Sequence, residues 1–149
     1  MGHRIIVVSS HEEILTWCAA EQIRAVQNRK SLEGMAASLR LGVEAAAGAG
    51  AYAFFVADQP YLTAGTIVRF LNGFEVSGKD RGCFLTGGVE GNPAVFKNIY
   101  RGRLLALQGD RGARSLLRVN PEEVWHFTAA AEELRDIDTP EDVPLQTVR

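Results

Sequence analysis

The chain has 149 residues, 46% of them hydrophobic, and a formal net charge of −2. This suits one domain, residues 1–149, with a buried core, and it excludes a disordered chain or one whose overall field draws in nucleic acid or acidic lipid. No apolar run reaches the roughly 18 residues of a membrane span, and no signal-peptide pattern opens the chain. Cys18 and Cys83 show no CxxC or Cys/His ligand spacing, so two buried, reduced thiols in a cytoplasmic protein are expected.

Arg4 to Ser9 is apolar and β-branched without alternation, which suits a strand covered on both faces. His11 to Glu21 reads as a helix, with Ser10 as N-cap and Glu12 and Glu13 favoured by the dipole. Ile23 to Gln27 is a short strand and Asn28 to Gly34 a polar loop. Met35 to Ala47 is an alanine-rich helix, ended by Gly48-Ala49-Gly50. Tyr52 to Ala57 is a third strand, and Thr63 caps a helix to Phe74 whose apolar face carries Ile67, Phe70, Leu71 and Phe74.

Gly82 to Thr86 and Ala94 to Lys97 read as strands around a glycine-rich connection, Gly87 to Pro93. Tyr100 to Leu107 and Ala113 to Arg118 read as helices, and Val124 to Phe127 as the last strand. A short helix starts at Thr139-Pro140, with Glu141 and Asp142 in its first turn. Strands alternating with helices imply an α/β domain with a mostly parallel sheet and helices on both faces.

Asp58 follows the third strand, at the sheet edge where open α/β sheets bind ligands. Its carboxylate suits Mg²⁺ against a phosphate-bearing substrate; an Asp that bonds a turn backbone is the equal alternative. Asp136 and Asp138 flank Ile137, and with Ile137 facing the core both carboxylates lean to solvent, able to complete an oxygen-rich site with Asp58. By themselves they read better as support for the helix start. Gly91-Asn92-Pro93 and Gly109 to Arg114 combine turn glycines with arginines that pair with anions, a weak generic signal. Ser38, near a helix N-terminus, could meet an anion, although an ordinary serine is the commoner case. His3, His11 and His126 stand isolated.

The ordered series Asn28, Gly34-Met35-Ala36-Ala37-Ser38-Leu39, Val56 to Leu62, Gly91 to Phe96, Leu107 to Arg114 and Asp136 to Asp142 resembles the MobA-like nucleotidyltransferases, most closely the molybdenum cofactor cytidylyltransferase branch. It spans Arg4 to Val143. The resemblance implies a Rossmann-like three-layer sandwich of the nucleotide-diphospho-sugar transferase type. The implied reaction attaches NMP from an NTP, CTP or GTP, to a phosphorylated acceptor such as molybdopterin. It would make Asp58 and Asp138 catalytic and, with Asp136, Mg²⁺ ligands. Asn28, Gly34, Ser38 and Asp58 would hold the nucleotide, and Gly91, Asn92 and Pro93 the acceptor.

The family's opening strand and its LAAGxSxRMGxxK loop, which wraps the triphosphate, have no counterpart in this sequence. The expectation is an internal start at Met1-Gly2-His3 and activity only in a form that carries the loop. The alternative is a non-catalytic relative that binds a ligand or partner. The lost strand belongs between Arg4–Ser9 and Tyr52–Ala57, so those strands are expected to close up or a second copy in a homodimer to fill the gap.

Overall fold

The computed structural model describes residues 2–143. Met1 and residues 144–149 lie outside the described residues. The chain divides into two compact units: Met1–Tyr52 with Phe96–Glu122, and Ala53–Val95 with Glu123–Arg149.

In the first unit β1 (Ile6–Ser9) pairs in parallel with β2 (Arg24–Gln27), Val7 opposite Ala25 and Val8 opposite Val26. A parallel pair needs a crossover, and α1 (Glu12–Ala20) supplies it. The N-cap is His11 rather than Ser10, and its backbone N–H donates to Ser9 Oγ at 3.1 Å. The alanine-rich stretch becomes α2 (Met35–Ala45), which buries Ala36, Ala37, Leu39 and Val43. Cys18, Phe96, Leu104 and Leu117 are buried in the same unit.

The expected helix at Tyr100–Leu107 shortens to α4 (Arg101–Leu105) after a 3-10 turn, and Ala113–Leu117 is a 3-10 helix. Gly102 costs about 1 kcal/mol against alanine in so short a helix.

β3 (Ala51–Phe54) runs from the first unit into the second. α3 (Ala64–Ser77) follows, and the Thr63 side chain accepts from the Thr66 N–H at 3.2 Å, as its capping position predicts. β4 (Arg81–Thr86), β5 (Val89–Lys97) and β6 (Val124–Phe127) complete a four-stranded sheet of order β3-β5-β4-β6. Phe70, Phe74, Phe84 and Val95 form the core of the second unit, with Trp125 and Phe127 packed against it. Phe70 meets Phe84 edge-on at 4.8 Å and stacks on Trp125 at 5.6 Å. Gly73 permits this approach, because a Cβ there would lie 2.7 Å from the Trp125 ring.

The α/β class holds, but this sheet is mostly antiparallel. β4 and β6 are parallel, whereas β4 and β5 form a hairpin. Gly87 and Gly88, at φ 55° and 79°, supply the two left-handed residues of a tight turn. Gly91-Asn92-Pro93 therefore lies inside β5, not in a connection.

β1 pairs with β2, and β3 stands at the end of the larger sheet. The two strands thus belong to different sheets and have not closed up. Among the described residues no helix is long and apolar enough to cross a membrane.

Candidate functional site

In the first unit the end of β2 delivers Asn28 to the start of α2. Asn28 is buried, and its Nδ2 donates to Ser38 Oγ at 2.7 Å. Its Oδ1 accepts from the Lys30 N–H at 2.9 Å, and its own N–H donates to the Ser9 carbonyl at 2.9 Å. Two residues expected to line one pocket are thus joined directly. The same bonds hold the loop from Asn28 to Gly34 against β1 and α2.

Gly34 is the N-cap of α2, at φ +93°, a left-handed conformation that favours glycine. A Cβ there would lie 2.5 Å from the carbonyl carbon and oxygen of Gly109 and 2.6 Å from Asp110 Oδ1. The Ala36 N–H donates to that Gly109 carbonyl at 3.0 Å, and Arg40 Nη1 donates to the Leu107 carbonyl. The segment from Leu107 to Asp110 therefore lies along the first turns of α2. Glu33, Arg40, Leu105, Leu107, Gln108 and Gly109 line an open groove of about 370 Å³ there.

In the second unit Asp58 sits in a turn four residues beyond the end of β3 and is exposed. Its carbonyl accepts from the Ile137 N–H at 2.8 Å. Asp58 and the Asp136-Ile137-Asp138 segment are thus side by side, through backbone. Ile137 is half-buried while Asp136 and Asp138 are exposed, the alternation of an extended segment. Next to Asp58, Gln59 Oε1 is buried with no hydrogen-bond partner.

Three exposed carboxylates offer hard oxygen donors of the kind Mg²⁺ and Mn²⁺ take. Among the described residues these three carboxylates do not form a group of ligand atoms gathered tightly enough to hold one ion between them. Mg²⁺ usually takes one or two carboxylates and retains water, so the chemistry of any one or two of these oxygen donors suits a hard cation.

Thr139 opens a 3-10 turn, Pro140–Asp142. Asp142 Oδ2 accepts from the Thr139 N–H at 3.0 Å, the Thr139 hydroxyl at 3.0 Å and the Asp138 N–H at 3.2 Å. The Thr139 N–H, then its hydroxyl, hold the Asp142 carboxyl below its usual range. Asp142 thus supports the turn while the neighbouring carboxylates of Asp136 and Asp138 face solvent. Gly91 and Asn92 are half-buried and Pro93 is buried within β5.

Two groupings have no local signal in the sequence. Glu133 Oε1 accepts from Thr66 Oγ1 at 2.7 Å, Thr63 Oγ1 at 2.9 Å and the Thr63 N–H at 3.3 Å, tying the segment after β6 to the N-terminus of α3. Cys83, Glu90 and His126 present one ligand atom each, all within 4.8 Å of one another. His126 is therefore not isolated, since Glu90 Oε1 lies 2.7 Å from its Nε2.

The MobA-like NTP transferase domain family model matches residues 2–127. The chain belongs to this family. Curated proteins give no match. Among solved structures the chain is similar to Rv0371c from Mycobacterium tuberculosis H37Rv, with a TM-score of 0.74 and 20% identity over 95% of this chain and 74% of that one. A manganese complex of Rv0371c matches at a TM-score of 0.70 and 17% identity, covering 87% of this chain and 68% of that one. Molybdopterin-guanine dinucleotide biosynthesis protein A from Archaeoglobus fulgidus matches at 0.61 and 14% identity, covering 92% and 73%. At these identities the likeness is one of fold. The family and the mixed α/β architecture agree with the resemblance carried by the motif series.

Proposed function

We propose that the chain is a single MobA-like domain of cytoplasmic molybdenum cofactor maturation, attaching NMP from CTP or GTP to a phosphorylated pterin acceptor. Family membership supports the transferase class, and the likeness to a molybdopterin-guanine dinucleotide biosynthesis protein supports the acceptor class. The carrying observation is the 2.8 Å bond from the Ile137 N–H to the Asp58 carbonyl, which sets the Asp58 turn beside Asp136 and Asp138. Asp58 and Asp138, with Asp136, would hold Mg²⁺; the manganese complex of a similar protein supports a divalent cation. When bound, that ion supplies charge neutralisation for the phosphates.

Asn28, Gly34 and Ser38 would bind the nucleotide, with Asn28 and Ser38 held in fixed orientation by their mutual hydrogen bond. Gly91, Asn92 and Pro93 would lie on the acceptor side. Such a transfer needs positioning and charge neutralisation more than covalent chemistry. In a homodimer, backbone from a second copy would occupy a strand edge that β1 or β3 leaves without a strand.

Calorimetry of CTP and GTP with Mg²⁺, on a form extended by the LAAGxSxRMGxxK loop, tests the reading. Micromolar binding that Asp58→Asn weakens at least tenfold is expected. No binding by the extended form would refute it. Nucleotide binding with no pyrophosphate release when acceptor is supplied would favour the non-catalytic relative.

A further inference from the structure

The second unit assembles a side-chain cluster that the proposed transfer chemistry does not use. β4 lies between β5 and β6 in the sheet. Cys83 on β4 and His126 on β6 are register partners on parallel strands, so their side chains leave the same face. Glu90 reaches the pair from β5. One ligand atom from each residue falls within a 4.8 Å circle of the others.

We propose that Cys83, Glu90 and His126 form a three-ligand site for a borderline-soft divalent transition metal of the Zn²⁺ class. A thiolate, an imidazole and a carboxylate together select Zn²⁺ over Mg²⁺, Mn²⁺ or Ca²⁺, which prefer oxygen alone. Tetrahedral coordination with ordinary Zn–S and Zn–N lengths sets donors about 3.6 Å apart. The widest donor pair, within 4.8 Å, has to close by about 1 Å, and the Glu90–His126 pair at 2.7 Å has to open by slightly less than that, both within the reach of side-chain rotation on a fixed sheet.

The approach is from the His126 and Glu90 side, whose side chains are 33% and 20% exposed, while Cys83 is fully buried behind them. On binding, the Cys83 thiol gives its proton to solvent, and the Glu90–His126 hydrogen bond is exchanged for a bond from each side chain to the cation. The fourth coordination position falls to water. The donor set differs in kind from the all-carboxylate set at Asp58, so the two sites would take different ions.

Co²⁺ titration of the reduced full chain, without nucleotide, reads the site through its thiolate-to-cobalt charge-transfer absorption. One Co²⁺ per chain is expected, displaced by equimolar Zn²⁺ and not by excess Mg²⁺. Cys83→Ser should abolish the band and Cys18→Ser should leave it. His126→Gln and Glu90→Gln lie at partly exposed positions and keep the test open if Cys83→Ser does not fold; each should weaken Co²⁺ at least tenfold, since losing even an outer partner of a metal ligand costs roughly 10–100-fold. A wild-type chain without the band, or His126→Gln binding as tightly as wild type, overturns the site. Neither result depends on whether the chain binds CTP or GTP.

Discussion

Gly34 shows how one residue can serve packing and binding together. Its left-handed φ and its contact with the Gly109 carbonyl leave no room for a side chain. Gly34→Ala should destabilise the protein by about 1–3 kcal/mol, through backbone strain and displacement of the Leu107–Asp110 segment. Urea unfolding checks this, and a variant within about 0.5 kcal/mol of wild type would mean that the segment yields. The motif series pointed to Gly34 through resemblance, and the structure supplies a local physical cause. Asn28 and Ser38 were legible in the same way; their 2.7 Å bond was not, because they stand ten positions apart across a loop whose course no local signal sets. Asp58 was expected at the mouth of a strand. The strand ends earlier, at Phe54, since a run of apolar residues does not mark its last hydrogen-bonded pair.

Among the elements, α3 is fastened at its N-terminus by a carboxylate from far along the chain. The Thr66 hydroxyl, then the Thr63 hydroxyl, lower the proton affinity of Glu133 below its usual value. A carboxyl lowered in the folded state stabilises fully above its unfolded pKa, and that contribution is lost as pH falls through the folded value. Thermal melts should therefore show wild type losing Tm as pH falls below the ordinary glutamate range, with Glu133→Gln showing a shallower acid limb. Asp142 shifts in the same direction, so the limb should flatten without vanishing. Equal acid limbs for wild type and Glu133→Gln would remove Glu133 from this role.

The sequence placed all six strands and the longer helices, α1 to α3, because hydrophobic runs, alanine content and the Thr63 cap are local signals. It misread the strand containing Gly91-Asn92-Pro93, since a proline argues against an interior strand while two adjacent glycines argue only for a turn. Cys83, Glu90 and His126 could not be grouped from spacing: parallel pairing of β4 with β6 brings Cys83 to a residue 43 positions away.

For the whole molecule, the boundary between units passes through β3 and β5, so each unit is built from two separated stretches of chain. The first 52 residues carry β1, α1, β2 and α2, yet Phe96, Leu104 and Leu117, buried in the same unit, come much later. A fragment of residues 1–52 should lack cooperative unfolding by circular dichroism, since it retains only part of its apolar core. A sharp thermal transition in that fragment would contradict this. During synthesis from the N-terminus, the first unit must wait on the ribosome until the later stretch has emerged, with the strands of the second unit made in between. Order of translation and order of completion therefore differ, and a polypeptide halted near residue 95 would present an unfinished apolar surface to chaperones.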